Sequence, residues 1–178
     1  GCGDGSLTRA LAARGIATLG IDASPRMIAV ARACAGPTPM LEYRLGDVLT
    51  DAPPSPAFDL VVSVAMAHHA PLKHVVKYLR AAVAPGGTLF IQDVVTRRGI
   101  RHVPANALAW LVSRLRVARG EGKRRAAVTA LYRSHGAGEA YLQQSEVEDA
   151  YRAILPGARV YPHLEWRYTT IWHCPAAT

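Results

Sequence analysis

Short apolar runs alternate with helical patterns along most of this chain. Runs of aliphatic and β-branched residues predict strands at Ile16–Asp22, Leu41–Leu45, Asp59–Ala65 and Thr88–Asp93. Apolar residues at helical spacing predict helices around Leu7 and Leu11, from Pro25 to Cys34 and from Leu72 to Val83. Apart from Asp59 and Ser63 the 59–65 run is apolar, so we expect that strand to be buried on both faces. This alternation is typical of an α/β fold with a mostly parallel sheet covered by helices.

The last third of the chain carries a different pattern. Ser145 and Glu148 have the spacing of a capping box, which predicts a helix running to about Leu155. Two further strands are predicted at Arg159–His163 and Arg167–His173. Because only a tight turn joins them, we expect an antiparallel pair.

The length of 178 residues is that of one domain, so we expect a single domain over 1–178. Half of the residues are apolar, enough for a sizeable core, and no apolar run reaches the length of a membrane span. Three widely spaced cysteines argue against a disulfide scaffold and favour the cytoplasm. The chain opens inside a glycine-rich turn with no strand before it, so we expect that the first strand is missing.

Positive charge is concentrated in one segment. Of the 21 basic residues, 10 lie between Arg97 and Arg133, together with a single acid, Glu121. We interpret 97–144 as a basic helical insert that covers the substrate. Its helix is predicted over Pro104–Arg119, with an apolar stripe expected to pack on the domain, formed by Leu108, Leu111, Val112 and Leu115.

The turn at the start of the chain has a composition suited to ligand binding. Gly1, Cys2, Gly3 and Gly5 precede a helix, so the backbone can approach a ligand closely and present N–H groups to it. The spacing is GxGxG, which differs from the GxGxxG of dinucleotide-binding folds.

Three later features lie at or just after the ends of predicted strands. Asp22 can accept hydrogen bonds from both hydroxyls of a ribose, and Asp47 can accept one from an adenine amino group. Ser63 and Val64 are small residues that leave room for a cofactor at the carboxyl edge of the sheet, where open α/β sheets bind ligands. Each acid taken singly also fits a cap or turn, and it is their shared placement that favours a binding site.

In order along the chain, GCGDGSLT, GIDAS, GDVLT, FDLVVSVAMAHHA and LRAAVAPGGTLFIQD resemble the motifs of class I S-adenosylmethionine-dependent methyltransferases. The segment LPGARVYPHLEWRYTTIW is similar to the closing antiparallel strands of that group. The resemblance implies a doubly wound Rossmann-like fold and S-adenosylmethionine as cofactor. It implies that the glycine turn faces the methionine part, Asp22 the ribose and Asp47 the adenine. Neighbouring residues included in the expected cofactor site are Ala23, Met27 and Val48.

Methyl transfer needs alignment of nucleophile, carbon and sulfur, and a base only where the nucleophile must lose a proton. His68 and His69 follow the fourth strand and are the candidate bases, with packing or helix capping as the alternative. Trp110 is the candidate for lining an acceptor pocket, and His135 for closing over it. No histidine or cysteine spacing indicates a metal site.

We expect a small-molecule acceptor. An RNA or DNA methyltransferase using the basic segment is the first alternative, although Ala65-Met66-Ala67-His68 stands where such enzymes carry an Asn/Asp-Pro-Pro-aromatic motif. The basic segment also lacks interleaved aromatic residues, which argues against specific nucleic-acid binding. A non-catalytic cofactor-binding relative is the second alternative. The sequence does not indicate an oligomeric state.

Overall fold

The computed structural model describes residues 1–54, 58–99, 102–119 and 141–176. Its contacts divide the chain into two compact units, Gly1–Ser55 and Pro56–Thr178. Each unit is described by itself.

The first unit holds four elements, in the order α1 (Ser6–Ala12), β1 (Thr18–Asp22), α2 (Pro25–Ala33) and β2 (Leu41–Leu45). β1 and β2 pair in parallel. Helix α2 begins as the sequence predicts: the Ser24 hydroxyl accepts a hydrogen bond from the Met27 amide, and Pro25 occupies the first turn. The core of the unit contains Ile28, Ala31 and Tyr43.

The second unit is built on a four-stranded sheet. Its elements in chain order are β3 (Phe58–Val64), α3 (Leu72–Ala81), β4 (Val83–Val94), α4 (Val103–Ala118), α5 (Gln144–Ile154), β5 (Arg159–His163) and β6 (Arg167–His173). The strand order is β3-β4-β6-β5. β3 and β4 are parallel, whereas β6 runs antiparallel to both β4 and β5. The mixed α/β architecture, with a closing antiparallel pair, confirms the expected fold class.

Strand β3 is not buried on both faces, so that expectation was wrong. Leu60 and Val64 are 47% and 38% exposed, and only Ser63 of this strand is buried. Helix α3 packs mainly against α5 and β4. The apolar run therefore has less helical cover in the described structure than its composition predicts.

Strand β4 is longer than predicted and begins at Val83 instead of Thr88. Pro85-Gly86-Gly87, which stands between the predicted helix and the predicted strand, therefore lies within β4. Gly86 has a φ of 79°, and the pairing of β4 with β3 shifts register between Phe58 and Leu60. Glycine adopts a positive φ at little energetic cost, so the strand can continue through this irregularity.

Helix α5 begins earlier than the predicted capping box. Its first residue is Gln144, and Gln143 is the N-cap. The Gln143 amide donates to the Glu146 carboxylate at 2.7 Å. The preceding chain is held by a hydrogen bond from the Thr96 amide to the Leu142 carbonyl at 2.9 Å, which fixes the helix start upstream of Ser145.

Helix α4 confirms the predicted span but not its predicted packing face. Leu108, Leu111 and Leu115 are each about half exposed, whereas Ala109 is fully buried. The reason is that polar contacts orient the helix: the Asn106 side chain accepts from Trp166 Nε1 at 3.0 Å and donates to the carbonyl of Arg97 at 3.1 Å.

Further along α4, Arg116 forms an ion pair with Glu165 of the β5–β6 turn. The helix therefore docks by side-chain hydrogen bonds and a charged pair, and its leucine stripe does not form the interface.

Candidate active site

The glycine turn is attached to the end of β1. The Cys2 amide donates to the Ile21 carbonyl at 2.8 Å, and the Gly3 amide donates to Asp22 Oδ2 at 2.8 Å. Gly3 and Gly5 adopt left-handed φ values of 55° and 73°. Such values favour glycine, so the spacing of this motif is dictated by the backbone path of the turn.

The Asp22 carboxylate organises the start of the candidate cofactor site. Its Oδ2 accepts from the Gly3 amide, and its Oδ1 accepts from the Ser24 amide at 2.9 Å. A carboxylate has about four lone-pair sites, so each oxygen retains capacity for one more donor. Asp22 thus connects the glycine turn to the start of α2 and can still accept from two hydroxyls.

Tyr43 supplies a structural reason for two of the glycines. A Cβ on Gly5 would lie 2.2 Å from the Tyr43 hydroxyl oxygen, and one on Gly20 would lie 2.8 Å from the Tyr43 ring. The hydroxyl contacts Thr8 Oγ1 at 2.8 Å and donates to the Gly5 carbonyl at 3.3 Å. Sequence analysis attributed Gly5 to ligand approach alone and missed Tyr43, because a tyrosine 38 residues away leaves no local signal.

Asp47 lies beyond the end of β2, at the same edge of the two-stranded sheet as Asp22. The Gly46 amide donates to the Asp22 carbonyl at 3.0 Å, which brings the two chain segments together. Asp47 Oδ1 accepts from the Leu49 amide at 2.9 Å. Both acids therefore stand where parallel strands of this unit end, as their positions in the sequence predicted.

Other residues of the expected cofactor site differ in exposure. Met27 is buried at 4% exposure, Val48 is half-buried and Ala23 is exposed. Burial raises the pKa of the Cys2 thiol above its usual range. The thiol is therefore protonated near neutral pH, which makes it a poor nucleophile.

The end of β3 in the second unit has two unusual features. Ser63 is 5% exposed, and its hydroxyl has no hydrogen-bond partner among the described residues. Ala65, just after the strand, has a φ of 52° while its amide donates to the Gln92 carbonyl at 2.8 Å. Left-handed backbone at a non-glycine residue is unfavourable and is found disproportionately at functional sites.

His68 is held by a buried carboxylate. It lies in a short 3₁₀ turn, Ala67–His69, and its Nδ1 is 2.5 Å from Oδ1 of Asp93 near the end of β4. Asp93 is 2% exposed, and its Oδ2 accepts from the His68 amide at 3.2 Å. The Val94 amide also donates to Oδ1, at 2.7 Å. Asp93 therefore orients both the ring and the backbone of His68.

The ring of His68 is flanked by two other rings. His69 lies 4.1 Å away between centroids and Tyr141 lies 5.4 Å away. The hydrogen bond between Thr96 and Leu142 tethers the chain next to Tyr141. The described end of the basic insert is thus anchored beside His68.

A pair of buried tyrosines lies near Asp93. The hydroxyls of Tyr151 and Tyr168 are 2.8 Å apart, and Tyr168 is paired with Asp93 across β4 and β6. Burial raises the pKa of both phenols above the usual range, and the Asp93 charge adds to the rise in each. Both tyrosines are consequently neutral across the physiological pH range.

Sequence analysis identified His68 but missed Asp93. The sequence does show a carboxylate closing a buried strand, in TLFIQD, but not that this carboxylate contacts His68. Trp110 is 58% exposed, and the Arg114 guanidinium carbon lies 5.5 Å from its ring centroid. His135 lies outside the described residues.

Among the described residues, no group of three or more His, Cys, Asp or Glu side chains could hold a metal ion. In the same part of the chain, no helix is both long and apolar enough to cross a membrane.

Comparison with known proteins identifies the family. Residues 1–91 match the family model described as a methyltransferase domain. An uncharacterized methyltransferase of Mycobacterium tuberculosis is 29% identical over 186 residues, covering 98% of this chain and 85% of that protein. Trans-aconitate 2-methyltransferase of Streptomyces avermitilis is 39% identical over 99 residues, which is 52% of this chain and 36% of that enzyme.

The fold is shared with solved structures. The crystal structure of an S-adenosylmethionine-dependent methyltransferase from Mesorhizobium loti superposes with a TM-score of 0.64 over 97% of this chain and 88% of that one, with 17% identity. At that identity the likeness shows the fold. With the family match over half of the chain, it follows that the protein belongs to the methyltransferase domain family and is an S-adenosylmethionine-dependent methyltransferase.

Proposed function

We propose that this methyltransferase acts on a small-molecule acceptor, with Asp22 and Asp47 holding the nucleoside part of the cofactor. The observation that carries the proposal is the Asp22 carboxylate, which fixes the glycine turn and keeps acceptor capacity on both oxygens. S-adenosylmethionine supplies an electrophilic methyl group on a sulfonium. The chain's own residues bind that cofactor, orient the acceptor and take up any proton the acceptor releases.

The described residues fit such a cofactor. Two carboxylates lie at one edge of a parallel strand pair, and the proposal assigns one to the ribose hydroxyls and one to the adenine amino group. Within the second unit, considered by itself, the buried Ser63 hydroxyl lacks a partner among the described residues. A buried hydroxyl without a partner is costly, and a bound polar group would satisfy it.

The contacts of the described arginines support a small acceptor over a nucleic acid. Arg97 donates to the His163 carbonyl at 2.6 Å, Arg114 stacks on Trp110, and Arg116 pairs with Glu165. These side chains make contacts within the protein that phosphate binding would have to replace. The relative that methylates trans-aconitate also acts, by its name, on a small molecule.

Calorimetric titration of the protein with S-adenosylmethionine tests the cofactor assignment. Asp22→Ala should weaken binding by about 1.5–3 kcal/mol, since a hydrogen-bonded charged group is lost. Asp149→Asn is the matched control, because Asp149 is an exposed acid on α5 that pairs only at the surface with Arg152. Equal affinity of Asp22→Ala and wild type would overturn the assignment.

A filter-binding assay separates the two acceptor classes. On the small-molecule proposal, the Arg124→Ser/Arg125→Ser double variant should leave weak RNA binding unchanged at low and high salt. Each lost phosphate contact would otherwise lower the salt slope by about one unit. Micromolar RNA affinity that disappears in the double variant would favour an RNA methyltransferase instead.

A further inference from the structure

We propose that helix α4 docks on the surface of an anionic lipid bilayer and so holds the enzyme at a membrane. This inference goes beyond the proposed function, since it concerns where the enzyme is held and not the reaction. The helix would lie in the plane of the lipid headgroups, with one side held by the protein, and would not cross the bilayer.

Helix α4 turns polar side chains toward the protein and apolar side chains away from it. On the inner side, the Asn106 side chain accepts from the Trp166 indole at 3.0 Å, and Ala109 is fully buried. Arg116 pairs with Glu165 of the β5–β6 turn. The other side carries six large apolar residues, each between 48% and 71% exposed. This outer face of α4 consists of Val103, Leu108, Trp110, Leu111, Leu115 and Val117.

The outer face is continuous along the helix. An α-helix turns by about 100° per residue, so residues seven apart lie almost one above another. Val103, Trp110 and Val117 therefore form one stripe. The three leucines form a second stripe beside it, and only alanines and Arg114 lie between the two. Single exposed apolar residues are ordinary, whereas a contiguous set marks an interaction surface.

Charge indicates which partner covers this surface. Residues 97–119 include six arginines and no aspartate or glutamate. Residues 120–140 add four basic residues and two glutamates, so this part of the sequence is also net positive. Each basic side chain close to an anionic lipid surface adds to the attraction between protein and bilayer. An anionic bilayer therefore matches both the apolar residues and the charge around them.

The same charge disfavours the two other occupants of the outer face. A second copy of α4 would bring its own arginines, Arg114 and Arg119 among them, to a face that carries no acid. Residues 120–140 of the same chain would likewise bring net positive charge. Like charges repel at short range, so neither occupant complements this face as an anionic surface does.

Trp110 and Arg114 have the chemistry of a headgroup region. The Arg114 guanidinium carbon lies 5.5 Å from the centroid of the Trp110 ring, on the outer side of the helix. Tryptophan is enriched at membrane–water interfaces, and the long arginine side chain can keep its charge in the headgroups while its stem lies along apolar groups. The pair therefore suits the boundary between lipid tails and water.

Sedimentation of the full chain with phospholipid vesicles tests the proposal. We expect the protein to pellet with vesicles of phosphatidylglycerol and phosphatidylcholine in equal parts, and not with vesicles of phosphatidylcholine alone. The affinity for the anionic vesicles should fall as salt is raised, because salt screens the attraction. Asp22→Ala, which tests the cofactor site, should pellet with anionic vesicles as the wild type does.

Two double variants separate the apolar and the charged contributions. Leu111→Gln/Leu115→Gln should lower the affinity for anionic vesicles at least about tenfold, because two inserted apolar side chains are lost. Arg114→Ser/Arg119→Ser should lower it about 20- to 30-fold, as expected for two basic residues at the surface. Because these side chains are exposed on α4, we expect both variants to fold.

A matched control removes the same charge elsewhere in the second unit. Arg152 is exposed near the end of α5, and Arg159 is exposed at the opposite end of β5 from the turn that contacts α4. Arg152→Ser/Arg159→Ser should change the affinity by no more than about twofold, since charges far from the bilayer are screened.

The fluorescence of Trp110 reports directly on insertion. Its emission should shift to shorter wavelength when anionic vesicles are added, and Trp110→Phe should abolish the shift. Trp166 and Trp172 donate their indole N–H groups within the protein, at 3.0 Å and 3.1 Å, so their emission should not respond. This readout decides the proposal even if a double variant fails to fold.

Several outcomes would overturn the proposal. One is a wild-type protein that does not pellet with anionic vesicles or pellets equally with neutral ones. Another is an unchanged affinity in both α4 double variants. A concentration-dependent dimer that Leu111→Gln/Leu115→Gln abolishes would assign the outer face to a second copy instead. Protection of Trp110 from acrylamide quenching in the absence of vesicles would assign it to residues 120–140.

Discussion

The glycines of the first unit differ in whether the backbone conformation or the space for a Cβ requires them. Gly5 combines a left-handed backbone with a Cβ position occupied by the Tyr43 hydroxyl. Gly20 has only the steric constraint, since its Cβ would meet the Tyr43 ring. Gly15 has only the backbone constraint, with a φ of 79° and open space around it, and Gly36 has neither. The four positions therefore separate backbone strain from side-chain crowding.

Alanine substitution at these four glycines should give a graded series of unfolding free energies. Gly15→Ala should lose about 1–2 kcal/mol from left-handed strain, and Gly20→Ala about 1–3 kcal/mol from overpacking. Gly5→Ala should be the most destabilised because both effects act there. Gly36→Ala is the control, expected to gain about 0.4–1 kcal/mol from a stiffer unfolded chain.

Urea denaturation of the four variants measures the series. If crowding by Tyr43 is the cause at Gly20, then Tyr43→Ala in the same chain should remove most of the additional loss due to Gly20→Ala. A Gly5→Ala variant as stable as Gly15→Ala would show that crowding by Tyr43 does not lower the free energy of unfolding.

Among the elements, α5 shows which of two overlapping capping-box spacings starts a helix. Gln143–Glu146 and Ser145–Glu148 both have capping-box spacing, and serine is the stronger intrinsic N-cap. The structure uses the first pair, because Thr96 anchors the chain at Leu142 and because Val147, Ala150, Tyr151 and Ile154 are buried on one helical face. Tertiary packing overrides the intrinsic preference of a single residue.

Substitutions at the two candidate caps should differ accordingly. Glu146→Ala removes the carboxylate that accepts from the Gln143 amide and should cost about 0.5–2 kcal/mol of unfolding free energy. Ser145→Ala should change stability by less than about 0.5 kcal/mol, as for ordinary surface sites. Thermal denaturation followed by circular dichroism compares the two, and a larger loss at Ser145 would contradict the observed helix start.

For the molecule as a whole, the buried Tyr151–Tyr168 pair sets an upper pH limit on stability. In the unfolded chain a tyrosine releases its proton near the usual pKa of 10.0, whereas the raised pKa in the folded state keeps both phenols protonated. Above pH 10 the unfolded state binds fewer protons than the folded state. Stability is therefore fully present below pH 10 and falls as pH rises further.

Urea midpoints at pH 9 and pH 11 should show this alkaline loss. Each fully retained proton contributes about 1.4 kcal/mol per pH unit. Replacing one member, as in Tyr168→Phe, should lower stability at pH 9 through the lost hydroxyl contact but reduce the further loss between pH 9 and pH 11. Tyr161→Phe, at a site 42% exposed, is the control. An alkaline loss identical in Tyr168→Phe and wild type would exclude the pair as its source.

Periodicity and turn chemistry were enough to predict the order of strands and helices and the placement of Asp22 and Asp47 at strand ends. These features depend on neighbours close in sequence. The roles of Tyr43 and Asp93 depend on partners 38 and 25 residues away, and a single sequence carries no record of such distances. The packing face of α4 was missed for a related reason: Asn106 and Arg116 hold it through polar contacts, which a count of leucines does not detect.

The bridge between Thr96 and Leu142 has a consequence for how such an enzyme can diversify. A backbone hydrogen bond of 2.9 Å joins Thr96 and Leu142, so the chain leaves the sheet and returns to it at the same place. In terms of chain entropy, the intervening segment is a closed loop. Doubling the length of a closed loop costs only about 0.6 kcal/mol. Insertions between Thr96 and Leu142 would thus cost the strands little, provided that α4 keeps its contacts with Trp166 and Glu165.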